Sequence, residues 1–298
     1  MATKPIFLLA DSQLLFWRDE EGKLFLERAR IALEDEVPSQ LRAAYLGASN
    51  GDAPEFYDLF VAAMNEIGIQ NCRMIPSKPS VDDRLFLGRA DLILLAGGDI
   101  ERGWDTFQEN GLQQKIMERY YAGALLIGIS AGAVQLGLKG WNETKRTVFD
   151  TFRLVPFVVD AHDEPSWVRL GQIVAKAGEQ ARGFGIPSGG GAVYHADFSV
   201  EPVRHPLVEI TQTEEGVRQA LLFPGQTTEV ERTEAPPPAR PNYLEELERQ
   251  GYINVQGEVL EPEAEAEPAG PNGGERPDAA EVTEPAAAGK SSDDDLVN

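Results

Sequence analysis

The sequence has few of the residues that form disulfides or hold metal ions. It contains one cysteine and only three histidines among 298 residues. A single cysteine cannot form an intrachain disulfide, so a reducing compartment fits best. The scattered histidines lack the spacing of a metal centre. We therefore expect no cofactor and no metal ion.

Long apolar runs are also missing. No stretch approaches the roughly 20 apolar residues that cross a bilayer, and the run at 6–10 is too short for the apolar region of a signal peptide. We therefore expect a cytoplasmic protein that has no membrane partner. The net charge of −22 argues against a nucleic-acid partner, because phosphate binding needs clustered lysine and arginine.

Negative charge is concentrated at the C-terminal end of the chain. Residues 231–298 include seventeen acidic and five basic residues, and 235–241 read APPPARP, which excludes a helix or an inner strand. With almost no large apolar residues beyond 261, the segment cannot bury enough surface to offset its ordering entropy. We predict a hydrolase domain at 1–230 and a mostly disordered acidic tail at 231–298. The tail is interpreted as solvating, or alternatively as a docking element around 243–253.

Strand and helix patterns alternate over the first 230 residues. Continuous apolar runs at 90–96 and 124–129 are typical of strands buried on both faces, and 54–67 has apolar residues at helical spacing. Such strand–helix–strand units form right-handed crossovers. We predict an α/β fold with a doubly wound, mostly parallel sheet and helices on both faces. Further strands are predicted at 5–10, 43–48 and 71–75, and a helix at 100–122 that is interrupted near 110.

The motif G-x-S-x-G occurs at 128–132, where it closes an apolar strand and opens a helix. This strand–turn–helix context is the one that a nucleophile elbow requires. Ser130 would then stand at the carboxyl end of the sheet, where open α/β sheets bind ligands. A structural serine in a glycine-rich turn is the alternative interpretation.

A second glycine turn, Gly97-Gly98-Asp99, ends the preceding apolar strand. Backbone N–H groups in such a turn can point toward a ligand. The N–H of Gly98 or Asp99, together with that of Ala131, would form an oxyanion hole. A purely structural tight turn is the alternative.

The serine needs a neighbouring base to attack a carbonyl at neutral pH. His162 directly follows the apolar run 154–160, so we place it on a short loop at a strand end. His195 is the runner-up, and His205 lies in a polar stretch that we expect at the surface. We therefore predict His162 as the base of Ser130.

A carboxylate should orient that imidazole and stabilise its charged form. Glu143 and Asp150 both lie in the irregular segment between Ser130 and His162. Glu143 is the first choice and Asp150 the second.

Three segments resemble the family of serine peptidases that contains cyanophycinase and dipeptidase E. They are LLAGGD at 94–99, GALLIGISAGA at 123–133 and FDTFRLVPFVVDAH at 149–162. The resemblance runs from about residue 90 to 224 and implies a fold like that of class I glutamine amidotransferases. It also implies that Ser130, His162 and Glu143 form the catalytic triad. Those amidotransferases carry cysteine at the elbow, so Ser130 argues against their reaction.

The same resemblance implies a substrate. The family is known for cleaving bonds next to aspartate, in dipeptides or in cyanophycin, so a peptide that contains aspartate is expected. Ile100, Asp160 and Arg169 lie at positions that resemble the family's substrate-binding residues. Recognition of aspartate needs a paired cation, for which Arg169 and Arg182 are the candidates.

The chain departs from the family at several substrate positions. Ile100 and Ala161 stand where glutamine is usual, and Ser188 stands where an acidic residue is common. These departures motivate a second hypothesis, a catalytically silent binding or assembly protein. A third is a specialised processing protease that docks its partner through the tail. The sequence leaves the oligomeric state open, with a homodimer as one alternative.

Overall fold

The structure is a computed structural model that describes residues 3–33, 37–142, 145–163, 165–178 and 180–230. Glu143 and the acidic tail at 231–298 therefore lie outside the described residues, as does the predicted docking element at 243–253. All described residues belong to one unit, Met1–Leu260.

Strands and helices alternate through most of the described chain. The strands are β1 Ile6–Leu9, β2 Arg42–Leu46, β3 Asn71–Ile75, β4 Leu92–Leu95, β5 Leu125–Ile129, β6 Lys139–Asn142, β7 Thr147–Asp150, β8 Val158–Ala161, β9 Arg182–Ile186, β10 Gly191–Tyr194, β11 Ser199–Val203, β12 Leu207–Thr213, β13 Gly216–Leu222 and β14 Thr228–Glu229. The helices are α1 Glu27–Ala32, α2 Pro54–Glu66, α3 Val81–Leu87, α4 Ile100–Glu109, α5 Leu112–Tyr121, α6 Ala131–Leu136 and α7 Val168–Ala177.

An eight-stranded sheet forms the centre, in the order β14-β11-β10-β1-β5-β4-β2-β3. The five strands from β1 to β3 in that order are parallel, and β10, β11 and β14 add antiparallel strands at the other edge. The predicted mostly parallel α/β sheet is thus confirmed. Its register places Ile129 beside Leu9, so the chain after β5 and the chain after β1 leave the same end of the sheet.

Both faces of this sheet are covered. Along β1, Ile6 and Leu8 enter one buried cluster, which includes residues of α4, α5 and α6. Phe7 and Leu9 enter the other, which includes residues of α1 and α2. The two-residue period of a strand explains why apolar residues must occupy every position of a strand that is covered on both sides. The doubly wound arrangement follows from this pattern.

A second, four-stranded sheet has the order β13-β12-β9-β8, and β6 pairs with β7 in a separate hairpin. Neither the second sheet nor the hairpin was predicted from the sequence. Strand β8, which precedes His162, is therefore not a strand of the central sheet. It pairs in parallel with β9 and packs under α7 through an apolar cluster that includes Val158 and Leu170. Within the described ranges, no helix has the length and apolar character needed to cross a membrane.

Candidate active site

Ser130 occupies a strained turn between β5 and α6. Its backbone has φ 49° and ψ −110°, a region that costs a non-glycine residue about 1–3 kcal/mol. The turn is held by the Ser130 N–H, which donates to the Leu9 carbonyl at 2.8 Å, and by glycines on both sides. A Cβ at Gly128 would lie 2.6 Å from the Gly132 carbonyl oxygen, and one at Gly132 would overlap the Leu95 carbonyl. Strand and helix therefore approach closely only because both positions are glycine.

The turn at 97–99 lies directly against this serine. A Cβ at Gly97 would be 3.2 Å from the Cβ of Ser130, and Gly98 has φ 134°. Within the described residues, the N–H groups of Gly98 and Ala131 have no hydrogen-bond partner. The Asp99 N–H donates to the Ser49 carbonyl at 2.9 Å. Asp99 is therefore not an oxyanion donor in this structure, which leaves the predicted pair Gly98 and Ala131.

His162 follows β8 and has the left-handed φ of 66°. Its side chain is exposed, and Nδ1 lies 3.2 Å from the Ser188 hydroxyl. When Nδ1 carries the proton, it donates to Ser188 and leaves the Nε2 lone pair free to accept a proton. The Ser130 hydroxyl makes no hydrogen bond to His162 or to any other described residue.

Asp11, which was not among the residues predicted from the sequence, ties the loop after β1 to the loop that carries Ser188. One carboxylate oxygen accepts from the Gly189 N–H at 2.6 Å, and the other accepts from the Gln13 N–H at 2.9 Å. Its position in the sequence was the one indication of a role at the site, because Asp11 follows β1 at the end of the sheet where Ser130 lies. Asp11 thus anchors the segment that contacts His162.

Ser130 and His162 line the same cavity, which has a volume of about 290 Å³. We call it the Ser130 cavity. Its wall also contains Asp11, Ser12, Asn50, the 97–98 turn and apolar side chains from β2, β4, β5, α2 and the loop after β1. The nucleophile and base predicted from sequence are therefore brought to one site, although they belong to different sheets.

The second candidates for base and orienter lie elsewhere. His195 Nε2 is 2.8 Å from Glu201, and β10 runs from Gly191 beside Leu9 to Tyr194 beside Ile6. At about 3.3 Å per residue, His195 is at the opposite end of the sheet from Ser130. Asp150 pairs with Lys139 at 2.8 Å and does not contact His162.

The residues predicted to bind substrate, Ile100, Asp160 and Arg169, do not line the Ser130 cavity. Asp160 has no exposed surface, and Arg169 Nε and Nη2 donate to its two oxygens at 3.0 and 2.7 Å. Burial raises the pKa of Asp160 to about 6. The Arg169 guanidinium lies over the Trp141 ring at 4.8 Å and lines a separate cavity of about 630 Å³. Asp160 therefore holds Arg169 against the wall of this separate cavity.

Ile100, the third predicted substrate residue, begins α4 and is half-buried. Its carbonyl accepts from Gln135 Nε2 at 3.0 Å, and its side chain packs toward Gly140. It does not line the Ser130 cavity. Across the described ranges, no group of three His, Cys, Asp or Glu side chains is arranged to hold a metal ion.

Comparison with known proteins gives the family. Peptidase family S51 matches residues 26–194. A peptidase from an acI-B1 Actinobacterium superposes with a TM-score of 0.57 at 17% identity, covering 76% of this chain and 97% of that one. A putative peptidase E protein from Listeria monocytogenes EGD-e gives 0.45 at 19% identity, covering 74% and 100%. Among proteins of curated function, no sequence is significantly similar. Because the family match covers more than half of the chain, this protein belongs to peptidase family S51 and is a peptidase of the serine type.

Proposed function

We propose that the chain hydrolyses a peptide or isopeptide bond through an acyl-enzyme on Ser130, in the manner of cyanophycinase or dipeptidase E. The observation that carries the proposal is the strained serine at φ 49° beside two unpartnered N–H groups, with a histidine in the same cavity wall. Backbone strain of this kind costs free energy, and it persists where a function needs the geometry.

The reaction follows from these positions. The Ser130 hydroxyl attacks the substrate carbonyl while His162 Nε2 takes its proton. The carbonyl oxygen becomes negative and accepts from the Gly98 and Ala131 N–H groups. The imidazolium then protonates the leaving amine as its bond to carbon breaks. Water, deprotonated by His162, attacks the acyl-enzyme, and Ser130 is regenerated.

The imidazole must be oriented for both steps. In the described structure, the Ser188 hydroxyl lies 3.2 Å from Nδ1 of His162 and orients the ring. The family resemblance assigns an acidic third member to Glu143, and we keep that assignment as part of the proposal. A carboxylate near Nδ1 would stabilise the imidazolium more than a neutral hydroxyl does.

Covalent labelling tests the nucleophile. Among the described residues, two serines line the Ser130 cavity, Ser12 and Ser130, so they form a matched pair. A small fluorophosphonate should modify the wild-type chain and the Ser12→Ala variant once, on the peptide that contains residue 130. Ser130→Ala should not be labelled and should hydrolyse no peptide. Full hydrolytic activity in Ser130→Ala would refute the proposal.

A catalytically silent binding protein is the second candidate. It is favoured by the absence of a direct hydrogen bond between Ser130 and His162 in the described structure. A hydroxyl without a base reacts poorly with phosphonates, so a folded wild-type chain that resists labelling would support this candidate.

The docking role of the acidic tail is a separate question. If the chain is a processing protease that uses its tail, deletion of 231–298 should slow cleavage of the natural protein substrate and leave small reporter substrates unchanged. Equal turnover of both by the shortened chain would argue against that role.

A further inference from the structure

The wall of the Ser130 cavity is mostly apolar. Two of its side chains, Phe56 and Leu59, lie on the first turns of α2 and are 46% and 42% exposed. Exposed large apolar residues at the rim of a cavity are typical of a binding site. Behind them the wall continues with Leu15, Phe60 and Leu94, which are buried. A ligand group that enters here therefore meets hydrocarbon on most sides.

The described wall of the cavity carries a negative charge, whereas an acidic side chain would need a positive charge. Among the described residues that line the cavity, Asp11 is the only carboxylate and there is no lysine or arginine. The aromatic hydroxyl in the wall, Tyr45, accepts from Asn50 Nδ2 at 2.8 Å, and burial raises its pKa. An aspartate side chain would bring a second negative charge into this apolar space without a cation, which is strongly unfavourable.

The cations that the family resemblance offered for aspartate are committed elsewhere. Arg169 pairs with Asp160 and faces the other cavity. Arg182 pairs with Glu209 and is the first residue of β9. The last residue of β9, Ile186, pairs with the last residue of β8, which directly precedes His162. Four residues of strand separate Arg182 from that end, about 13 Å. Neither guanidinium reaches the Ser130 cavity.

Two further arginines flank the site without lining it. Arg102 donates to the Ser49 carbonyl, and Arg204 donates to the Gly189 carbonyl at 3.3 Å. Both therefore serve backbone groups of the loops that surround the cavity. A positively charged subsite for a carboxylate is absent from the described wall.

We propose that the Ser130 cavity accepts the apolar side chain, leucine-like or phenylalanine-like, of the residue whose carbonyl Ser130 attacks, so that this chain acts on apolar and not on aspartyl bonds. The inference rests on the proposed function, because it assigns a specificity to the same nucleophile. Burial of the side chain against Phe56, Leu59 and Phe60 supplies the selectivity, and the missing cation excludes aspartate.

Diphenyl phosphonates of leucine, phenylalanine and aspartate test this specificity without a known substrate. In each, the Ser130 oxygen bonds to phosphorus, a phenoxide leaves, and the serine proton passes through His162 to the phenoxide. We expect the second-order rate of inactivation by the leucine or phenylalanine compound to exceed that by the aspartate compound about 100-fold. An aspartate compound that reacts as fast or faster would overturn the proposal.

The small fluorophosphonate separates the two possible failures. If it labels Ser130 but none of the amino-acid phosphonates reacts, the cavity does not take these side chains and the specificity proposal is wrong. If it does not label the folded protein, the nucleophile assignment fails first, and the specificity proposal falls with it.

A charge placed at the rim should weaken the preference for apolar side chains. Leu59→Arg adds a guanidinium to the cavity mouth and should shift the rate ratio toward the aspartate compound by about tenfold. Ala62→Arg is the matched control, because residue 62 is an exposed residue of the same helix and does not line the cavity. Both positions are exposed, so both variants should fold. An equal shift in both variants, or none in Leu59→Arg, would contradict a selectivity set by the cavity wall.

Discussion

The two halves of the proposed active site are held in different ways. The serine half consists of Ser130 with the turns around it, and it is fixed by backbone: strand register, two close-packed glycines and carbonyl contacts from β1 and β4. The histidine half consists of His162 and Ser188, whose exposed side chains contact each other at the edge of a second sheet. Backbone contacts of the first kind cannot be altered without disturbing the fold, whereas side chains of the second kind can be replaced freely. Changes at the close-packed glycines of the serine half should therefore affect folding, and changes of the His162 and Ser188 side chains should affect activity alone.

Gly132→Ala should give the largest effect, a loss of folded protein together with all activity. The added Cβ would overlap the Leu95 backbone carbonyl, and overpacking against backbone costs about 3 kcal/mol or more. Thermal unfolding of the purified variant measures this loss.

Gly171→Ala is the matched control in α7, on the histidine side. Its Cβ would meet only Val217 and Ile210, at 3.9 and 4.0 Å, and alanine favours a helix over glycine by about 1 kcal/mol. We expect unchanged or increased stability. An equal loss of stability in both variants would break the comparison.

His162→Asn should abolish activity without unfolding. Removal of a general base costs about 10²–10⁴-fold in rate, and asparagine tolerates the left-handed φ of 66°. The rate of fluorophosphonate labelling should fall by about that factor, and the free energy of unfolding should change by less than about 0.5 kcal/mol. Labelling at the wild-type rate would show that another group serves as the base.

Ser188→Ala should slow labelling about fivefold, since a single hydrogen bond that orients a side chain contributes about 1 kcal/mol. Ser188→Thr keeps a hydroxyl near Nδ1 and should restore most of the rate, a result that a general loosening of the loop would not give. If threonine rescues nothing, Ser188 does not position His162.

Glu201→Gln should leave both halves of the site unaffected and change stability only. Glu201 accepts from His195 and Arg28 at the far end of the sheet, and these partners, led by His195, lower the pKa of its carboxyl to about 2. Because the carboxyl pKa is lowered on folding, the charged carboxylate stabilises the folded state at pH values above about 4.5, the pKa in the unfolded chain. This stability is lost as the pH falls toward 2.

The free energy of unfolding of the wild-type chain should therefore exceed that of Glu201→Gln by about 2 kcal/mol at pH 7. This difference should shrink as the pH falls from 4.5 to 2. Denaturant unfolding at several pH values measures it. A constant difference across that range would contradict the assigned ion pairs, and a change in labelling rate would contradict the separation from the site.

The serine half could be predicted from sequence because its signals are local. The apolar runs that became β4 and β5, and the motif at 128–132, lie within about 40 residues and specify strand, turn and helix directly. The local sequence does not determine where the backbone N–H groups of these turns point. Asp99 donates to Ser49 because of how β2 and β4 are paired, which only the folded register decides.

The histidine half could be predicted only in part. His162 was found as a histidine after an apolar run, but its partner Ser188 comes 26 residues later on the loop after β9. The pairing of Asp160 with Arg169 also escaped prediction, because it joins a strand to a helix across an irregular loop. Contacts of this kind arise from packing between elements, and no sequence periodicity reports them.

A structure of the fluorophosphonate adduct would test most directly whether the two halves meet during reaction. We expect His162 Nε2 within about 2.6–3.2 Å of the modified Ser130 oxygen, and the phosphoryl oxygen at about 2.7–3.1 Å from the Gly98 and Ala131 N–H groups. An adduct whose imidazole stays on Ser188 and away from Ser130, with the phosphoryl oxygen facing solvent, would contradict the proposed mechanism.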